Sequence, residues 1–293
     1  MLLYPLFLLQ GKGPGDGLTN QGKDMKKNYT NVKAYNNLKF LNSPDARTIR
    51  ILSEYLEPFS RFHRHAINSF IVFFGSARSR DLETTKREIV KTASLPEFEE
   101  ANWKKLRLAE YYEDAVLLAK KLTEWSMDRK TGKQSHVICS GGGPGMMEAA
   151  NKGAYLAGGK SVGLNISLPH EQIPNPFITE ELQLEFHYFF IRKFWFAYFA
   201  KALVIFPGGY GTMDELMEVM TLLQTKKIDE KLPVVIYGMD YWNEIIDFQS
   251  MVRWGTIDEN DLSLLYFSDS VEDAYSYLIK HLDKTKRNKK RRE

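Results

Sequence analysis

Two glycine-rich stretches and one separated pair of charges hold the chemistry this sequence can do. The first stretch is Ser140-Gly-Gly-Gly-Pro-Gly145-Met-Met-Glu148, and the second is Pro207-Gly-Gly-Tyr-Gly211-Thr212-Met-Asp-Glu215. A glycine-rich turn that opens a helix presents backbone N–H groups and the positive end of the helix dipole, which suits a phosphate. Arg192-Lys193 stands 23 residues before Glu215, in a segment where nine of the fourteen residues 186–199 are Phe, Tyr or Trp. Cations on so apolar a helix either snorkel to solvent or a subunit interface, or turn inward to an anionic site. Glu215 also has two readings: a carboxylate beside a phosphate site, or the reciprocal partner of Thr212 in a Thr-x-x-Glu capping box. Asp214 reads as a first-turn helix charge.

Two familiar nucleotide motifs fail. The dinucleotide fingerprint wants G-x-G-x-x-G and an acid ending the next strand, but Gly141-x-Gly143 is followed by Met146 and the next strand ends near Asn165. Gly159-Lys160-Ser161 supplies only the end of a P-loop, with Ala154 where its first glycine belongs. His63-x-His65 is too little for a metal site, and the single cysteine, Cys139, excludes disulfide frameworks and Cys-rich metal sites. A Schiff-base lysine for pyridoxal phosphate has Lys160, Lys193 and Lys201 as candidates, none in a distinguishing context.

The elements that must position these residues alternate. Residues 44–67 carry Ile49, Leu52, Leu56 and Phe59 at helical spacing behind Ser43-Pro44, and read as an amphipathic helix broken near Pro58. Strands are expected at 70–74, 137–140, 161–166, 182–188, 202–206 and 234–237. Helices are expected at 108–127, 146–156, 191–201, 213–224, 241–252 and 271–283, with a charged excursion over 79–107. Apolar strands separated by helices predict an α/β fold, a parallel sheet covered on both faces, in which ligands sit beyond the carboxyl ends of the strands. Gly75-Ser76, Ser140–Gly145 and Pro207–Thr212 should therefore converge on one crevice.

The 293 residues carry a formal charge of +3, but residues 284–293 alone hold seven of the 40 basic side chains and one of the 37 acidic ones. The remainder has 33 basic against 36 acidic residues, so a nucleic-acid-binding body is not indicated. No stretch reaches the ~20 apolar residues of a membrane helix. Residues 1–24 (an apolar decapeptide, then a glycine-rich linker) read as disordered or as an upstream extension of the reading frame, residues 25–65 as a helical extension, and 284–293 as a disordered basic tail. With one cysteine and no secretory pattern, a cytoplasmic setting is expected.

Pro207-Gly-Gly-Tyr-Gly-Thr-Met-Asp-Glu215, preceded by Arg192-Lys193, resembles the P-G-G-x-G-T-x-x-E signature of the LOG ("lonely guy") family, often labelled "lysine decarboxylase-like". The resemblance covers roughly residues 66–281. It implies a Rossmann-like parallel sheet, a homodimer or larger assembly, and cofactor-free hydrolysis of nucleoside 5′-monophosphates to base and ribose 5-phosphate. It places the catalytic pair on Arg192 and Glu215 and the phosphate loop on Gly208, Gly209, Gly211 and Thr212. Lys193, Thr221 and Glu171 match further substrate contacts. Phe74-Gly-Ser-Ala-Arg78, with Ser76, and Ser140–Glu148, with Gly142 and Gly143, resemble the longer bacterial type. In the first turn of a helix Glu215 would stay ionised and act electrostatically and on water. A non-catalytic nucleotide-binding module on the same loops is the competing expectation.

Overall fold

A computed structural model describes residues 32–92, 99–128, 130–168, 173–228 and 232–290. The expectations for residues 1–24, for Glu171 and for the last three residues of the tail lie outside these ranges. Two compact units divide the chain between Ala46 and Arg47. In the first, a 3-10 turn precedes α1 (Leu38–Leu41), where the Asn37 side chain accepts the Phe40 N–H at 3.2 Å. The second unit runs α2 (Arg47–Arg64), β1 (Phe70–Phe74), α3 (Leu82–Thr92), α4 (Glu99–Ser126), β2 (Val137–Ser140), α5 (Met146–Leu156) and β3 (Ser161–Ile166). It continues with β4 (Gln183–Phe186), α6 (Phe189–Phe199), β5 (Ala200–Ile205), α7 (Tyr210–Gln224), β6 (Val234–Tyr237), α8 (Met239–Ile245), α9 (Phe248–Arg253), β7 (Leu265–Ser268) and α10 (Val271–Lys290).

Seven parallel strands form one sheet in the order β4-β3-β2-β1-β5-β6-β7. The period of two along each strand divides the core. Phe70, Val72 and Phe74 of β1 pack with Trp195, Phe196, Leu216 and Val219 of α6 and α7 on one face. Ile71 and Phe73 pack with α4, α5 and α10 residues such as Leu118, Ala150 and Leu278 on the other. Every residue of β1, β2, β3 and β6 is buried, as helices on both faces require. The edge strand β4 alternates exposed and buried.

Three features depart from the sequence expectations. The helix 44–67 does not break at Pro58: α2 continues through it, although proline lacks the N–H that would bond the Glu54 carbonyl. The indole N–H of Trp195, from α6, donates to that carbonyl at 3.0 Å and satisfies it instead. This helix also belongs to the same compact unit as the sheet, so the boundary falls before residue 47 rather than at 65. At the other end, α10 extends to Lys290 through a segment expected to be disordered. Lys and Arg are good helix formers.

Candidate functional site

The strand order reverses at β1, whose neighbours are β2 and β5, and the crevice beyond their carboxyl ends is where an open α/β sheet binds ligands. The loops leaving these three strands are tied together there. The Ser76 N–H donates to the Pro207 carbonyl at 2.9 Å, and the Met146 N–H donates to the Ser76 carbonyl at 3.0 Å. Gly145 has φ +70°, and a Cβ there would stand 2.3 Å from the Ser76 carbonyl oxygen, so only glycine allows this junction. The convergence expected of Gly75-Ser76, Ser140–Gly145 and Pro207–Thr212 is therefore present. It encloses a cleft of about 660 Å³, within the usual size of small-molecule sites.

Ser76, Arg192, Gly208, Gly209, Gly211, Thr212 and Glu215 all line this cleft. The helix α7 begins at Tyr210, with Gly209 as its N-cap and, among the described residues, no side chain capping it. The first-turn N–H groups of residues 210–212 have no intrahelical partner by helix geometry. Gly208 is fixed by packing, since a Cβ would lie 2.1 Å from Thr212 Oγ1, and its carbonyl accepts the Tyr241 hydroxyl at 2.7 Å. Gly209 and Gly211 are different: among the described residues, a Cβ at either would meet nothing within 4 Å. Local packing does not require glycine at these two positions.

The start of α7 at Tyr210 corrects the reading of Thr212 and Glu215 as a capping box. Thr212 sits inside the first turn rather than at the cap, and Glu215 lies in the second turn. It also corrects the expectation that the dipole keeps Glu215 ionised, because the dipole's influence fades within that first turn. Glu215 is only 5% exposed, and burial pushes its carboxyl up to about 7 against the opposing pull of Lys193 and Arg192.

Arg192 projects from α6 into the cleft, between the rings of Phe189 and Phe196, whose centroids lie 5.3 and 5.5 Å from its guanidinium carbon. Its Nη2 is 3.8 Å from Glu215 Oε1, too far for a hydrogen bond, and its buried Nε has no hydrogen-bond partner among the described residues. Burial lowers its pKa, with Glu215 and Asp214 opposing. Of the two readings for this cation, the inward one holds.

The remaining expected residues lie elsewhere. Lys193 turns to the neighbouring carboxylates, 2.8 Å from Asp214 Oδ2, 2.9 Å from Glu218 Oε2 and 4.0 Å from Glu215 Oε2. Gly142 and Gly143 face away from the cleft, and their carbonyls accept the Asn175 side-chain amide at 3.1 and 3.0 Å. Gly142 has φ +74°, and Gly141 is the member of the triplet on the cleft wall. Thr221 is exposed farther along α7, its hydroxyl donating to the Met217 carbonyl. Arg78 and Tyr241 also reach the cleft wall. Tyr241 had no sequence signal; it comes from α8, the short helix after β6.

The described residues do not fit pyridoxal phosphate. Among them no lysine lines the cleft. Lys160 and Lys201 line a separate depression beside Ser69 and His136, near the start of β2. Burial would lower the Lys193 ammonium, but hydrogen bonds to Asp214 and Glu218 outweigh it and leave the pKa raised. A Schiff-base lysine needs the reverse.

Residues 147–278 match the family described as "possible lysine decarboxylase". The chain is 30% identical over 149 residues to the pyrimidine/purine nucleotide 5′-monophosphate nucleosidase of Escherichia coli, covering 43% of this chain and 31% of that protein. It is 30% identical over 158 residues to the cytokinin riboside 5′-monophosphate phosphoribohydrolase LOG of Oryza sativa subsp. japonica, covering 53% of this chain and 60% of that one. The chain thus spans less than two thirds of the length of either relative. A solved structure of the molybdenum cofactor carrier protein from Chlamydomonas reinhardtii aligns over 74% of this chain and 99% of that one, at 18% identity and a TM-score of 0.42. The resemblance to the LOG family carried by Arg192-Lys193 and Pro207–Glu215 holds.

Proposed function

We propose that this LOG-like chain hydrolyses the N-glycosidic bond of nucleoside 5′-monophosphates, releasing free base and ribose 5-phosphate. The observation that supports it above all is one cleft holding both an uncapped helix start and a buried, imperfectly paired Arg192–Glu215 couple. The 5′-phosphate docks on the amides of residues 209–212, where Gly209 and Gly211 leave space for close approach. Arg192 offers unsatisfied donors to the bound anion and balances the carboxylate.

With the phosphate fixed, C1′ of the ribose is held against Glu215. As the bond to the base breaks, positive charge develops on the sugar and the Glu215 carboxylate stabilises it. The same carboxylate takes a proton from the attacking water, whose oxygen bonds to C1′. The base departs with the bonding electron pair and takes up a proton. A carboxyl that titrates near neutrality is suited to this exchange. Remote phosphate binding accelerates the reaction only by positioning.

The names of the relatives point to pyrimidine and purine nucleoside monophosphates and to cytokinin riboside monophosphates; within these classes we take AMP as the first substrate to try and cytokinin riboside monophosphate as the second. A homodimer or larger assembly is part of the same proposal. Exposed Leu52, Leu56 and Phe59 on α2, with Phe190 and Tyr198 on α6, support it as apolar surface of the kind interfaces cover. The free, buried Cys139 accords with a cytoplasmic site of action. The test is a panel of nucleoside monophosphates, monitored for free base and ribose 5-phosphate, with wild type and Glu215→Gln. Wild type should turn over at least one, and the variant should bind it without turnover. Near-wild-type turnover by Glu215→Gln would remove Glu215 from the chemistry.

A further inference from the structure

The helix that carries Arg192 has no cap of its own. Its N-cap, Tyr188, makes no side-chain cap hydrogen bond, and the acceptor comes from α2 instead. Glu54 Oε1 accepts the His187 N–H at 2.8 Å, and Glu54 Oε2 accepts the Tyr188 N–H at 3.2 Å. Tyr188 in turn accepts the Arg192 N–H through its carbonyl, at 3.2 Å. The backbone carbonyl of the same Glu54 accepts the Trp195 indole at 3.0 Å. One residue of α2 therefore grips α6 on both sides of Arg192-Lys193, by its carboxylate four and five residues before Arg192 and by its main chain two residues after Lys193.

We infer that Glu54 is a positioning residue for the reaction, setting the register and tilt of the α6 start so that the Arg192 guanidinium stands over Glu215 in the cleft. The geometry leaves little slack. Arg192 reaches Glu215 at 3.8 Å while lodged between Phe189 and Phe196, so a small shift of the first turn of α6 moves the cation off the carboxylate. Its negative charge also lies at the positive end of the α6 dipole, where it is favoured. Arg47, over the Tyr188 ring at 5.7 Å, and Arg61, donating to the Gln183 carbonyl at 2.9 Å, hold α2 to the same corner of the sheet. Helix α2 is thus a brace for the cleft rather than an appendage.

Glu54 can act on turnover only if Arg192 and Glu215 are the reacting pair proposed above, so the test has two independent readouts. Glu54→Ala should lower kcat roughly 10- to 100-fold, as displacement of a positioned group by an ångström does, with much less change in KM. Glu54→Gln keeps an acceptor oxygen and should recover most of the loss. The Glu215 carboxyl, followed by carbon NMR and assigned with Glu215→Gln, should titrate at higher pH in Glu54→Ala, because Arg192 no longer lowers it. The control is Leu278→Ala, a fully buried position on the opposite face of the sheet, which should leave both readouts unchanged. Wild-type kcat together with an unmoved Glu215 titration in Glu54→Ala overturns the inference. So does an equal kcat loss in Leu278→Ala at a matched fall in Tm. If wild type releases no base from any nucleotide, the hydrolase reading falls, and the Glu215 titration still decides whether Glu54 holds Arg192.

Discussion

Replacing Glu215 with Gln should remove turnover and, at the same time, make the protein more stable above neutral pH. The folded carboxyl titrates at about 7 and the unfolded one at its ordinary 4.5. Below about pH 4.5 both states hold the proton, and wild type and variant differ little, since Arg192 faces a neutral group in each. Between 4.5 and about 7 the folded protein keeps a proton that the unfolded chain has released, so wild-type stability falls as pH rises. At 1.36 kcal/mol per pH unit, the loss is complete above about pH 7 and amounts to about 3 kcal/mol. Glutamine cannot ionise and escapes it. Arg192 and Lys193 stay charged throughout, so they do not contribute to the difference. Urea unfolding followed by tryptophan fluorescence, at pH values from 4.5 to 8, gives the two curves. They should coincide at the acid end and diverge by about 3 kcal/mol at the alkaline end, with Glu215→Gln above. A constant offset would mean that Glu215 titrates as a solvated carboxylate, and the case for a carboxyl poised near neutrality would be lost.

Three further outcomes can be checked directly. Nucleosides lacking the 5′-phosphate should show kcat/KM lower by roughly a hundredfold or more, because the positioning energy is gone; comparable values would refute docking on the α7 start. Gly211→Ala should stabilise the protein by up to about 1 kcal/mol, since its Cβ meets nothing, yet raise KM for the nucleotide; an unchanged KM would show that the glycine does not serve the ligand. Trp195→Phe should cost about 1–3 kcal/mol through the orphaned Glu54 carbonyl. A Pro58→Ala background restores the missing N–H and should shrink that cost, so a double-mutant cycle with no coupling would refute the Trp195–Glu54 bond.

The parallel sheet was legible because β1 and β6 are apolar at every position and β2 and β3 depart from that only at Ser140, Ser161 and Asn165, a pattern that local sequence carries by itself. The strand β7, Leu-Tyr-Phe-Ser at the sheet edge, was not, since it is short and only half-buried. The cleft residues Arg192, Gly208 to Thr212 and Glu215 stood out through glycine chemistry and the family motif. Their protonation behaviour did not, because three residues' difference in where α7 begins moves Glu215 from the first turn to the second. The uninterrupted helix at Pro58 and the role of Glu54 were beyond local reading for one reason. Each depends on a partner more than 130 residues away, Trp195 or the amides of His187 and Tyr188.

The central place of β1 also governs how the chain can be made. On one side β1 pairs with β5, and Phe70 lies opposite Ala200, across 130 residues of sequence. A nascent chain that has emerged only as far as β4 holds Phe70–Phe74 at an open sheet edge, five apolar residues with unpaired backbone groups. Contacts so remote in sequence slow folding, and the exposed edge is the kind that recruits other chains. Synthesis as far as Ile205 closes that edge, so truncations ending before it are expected to aggregate, while a break after β5 leaves the most hydrophobic strand already enclosed.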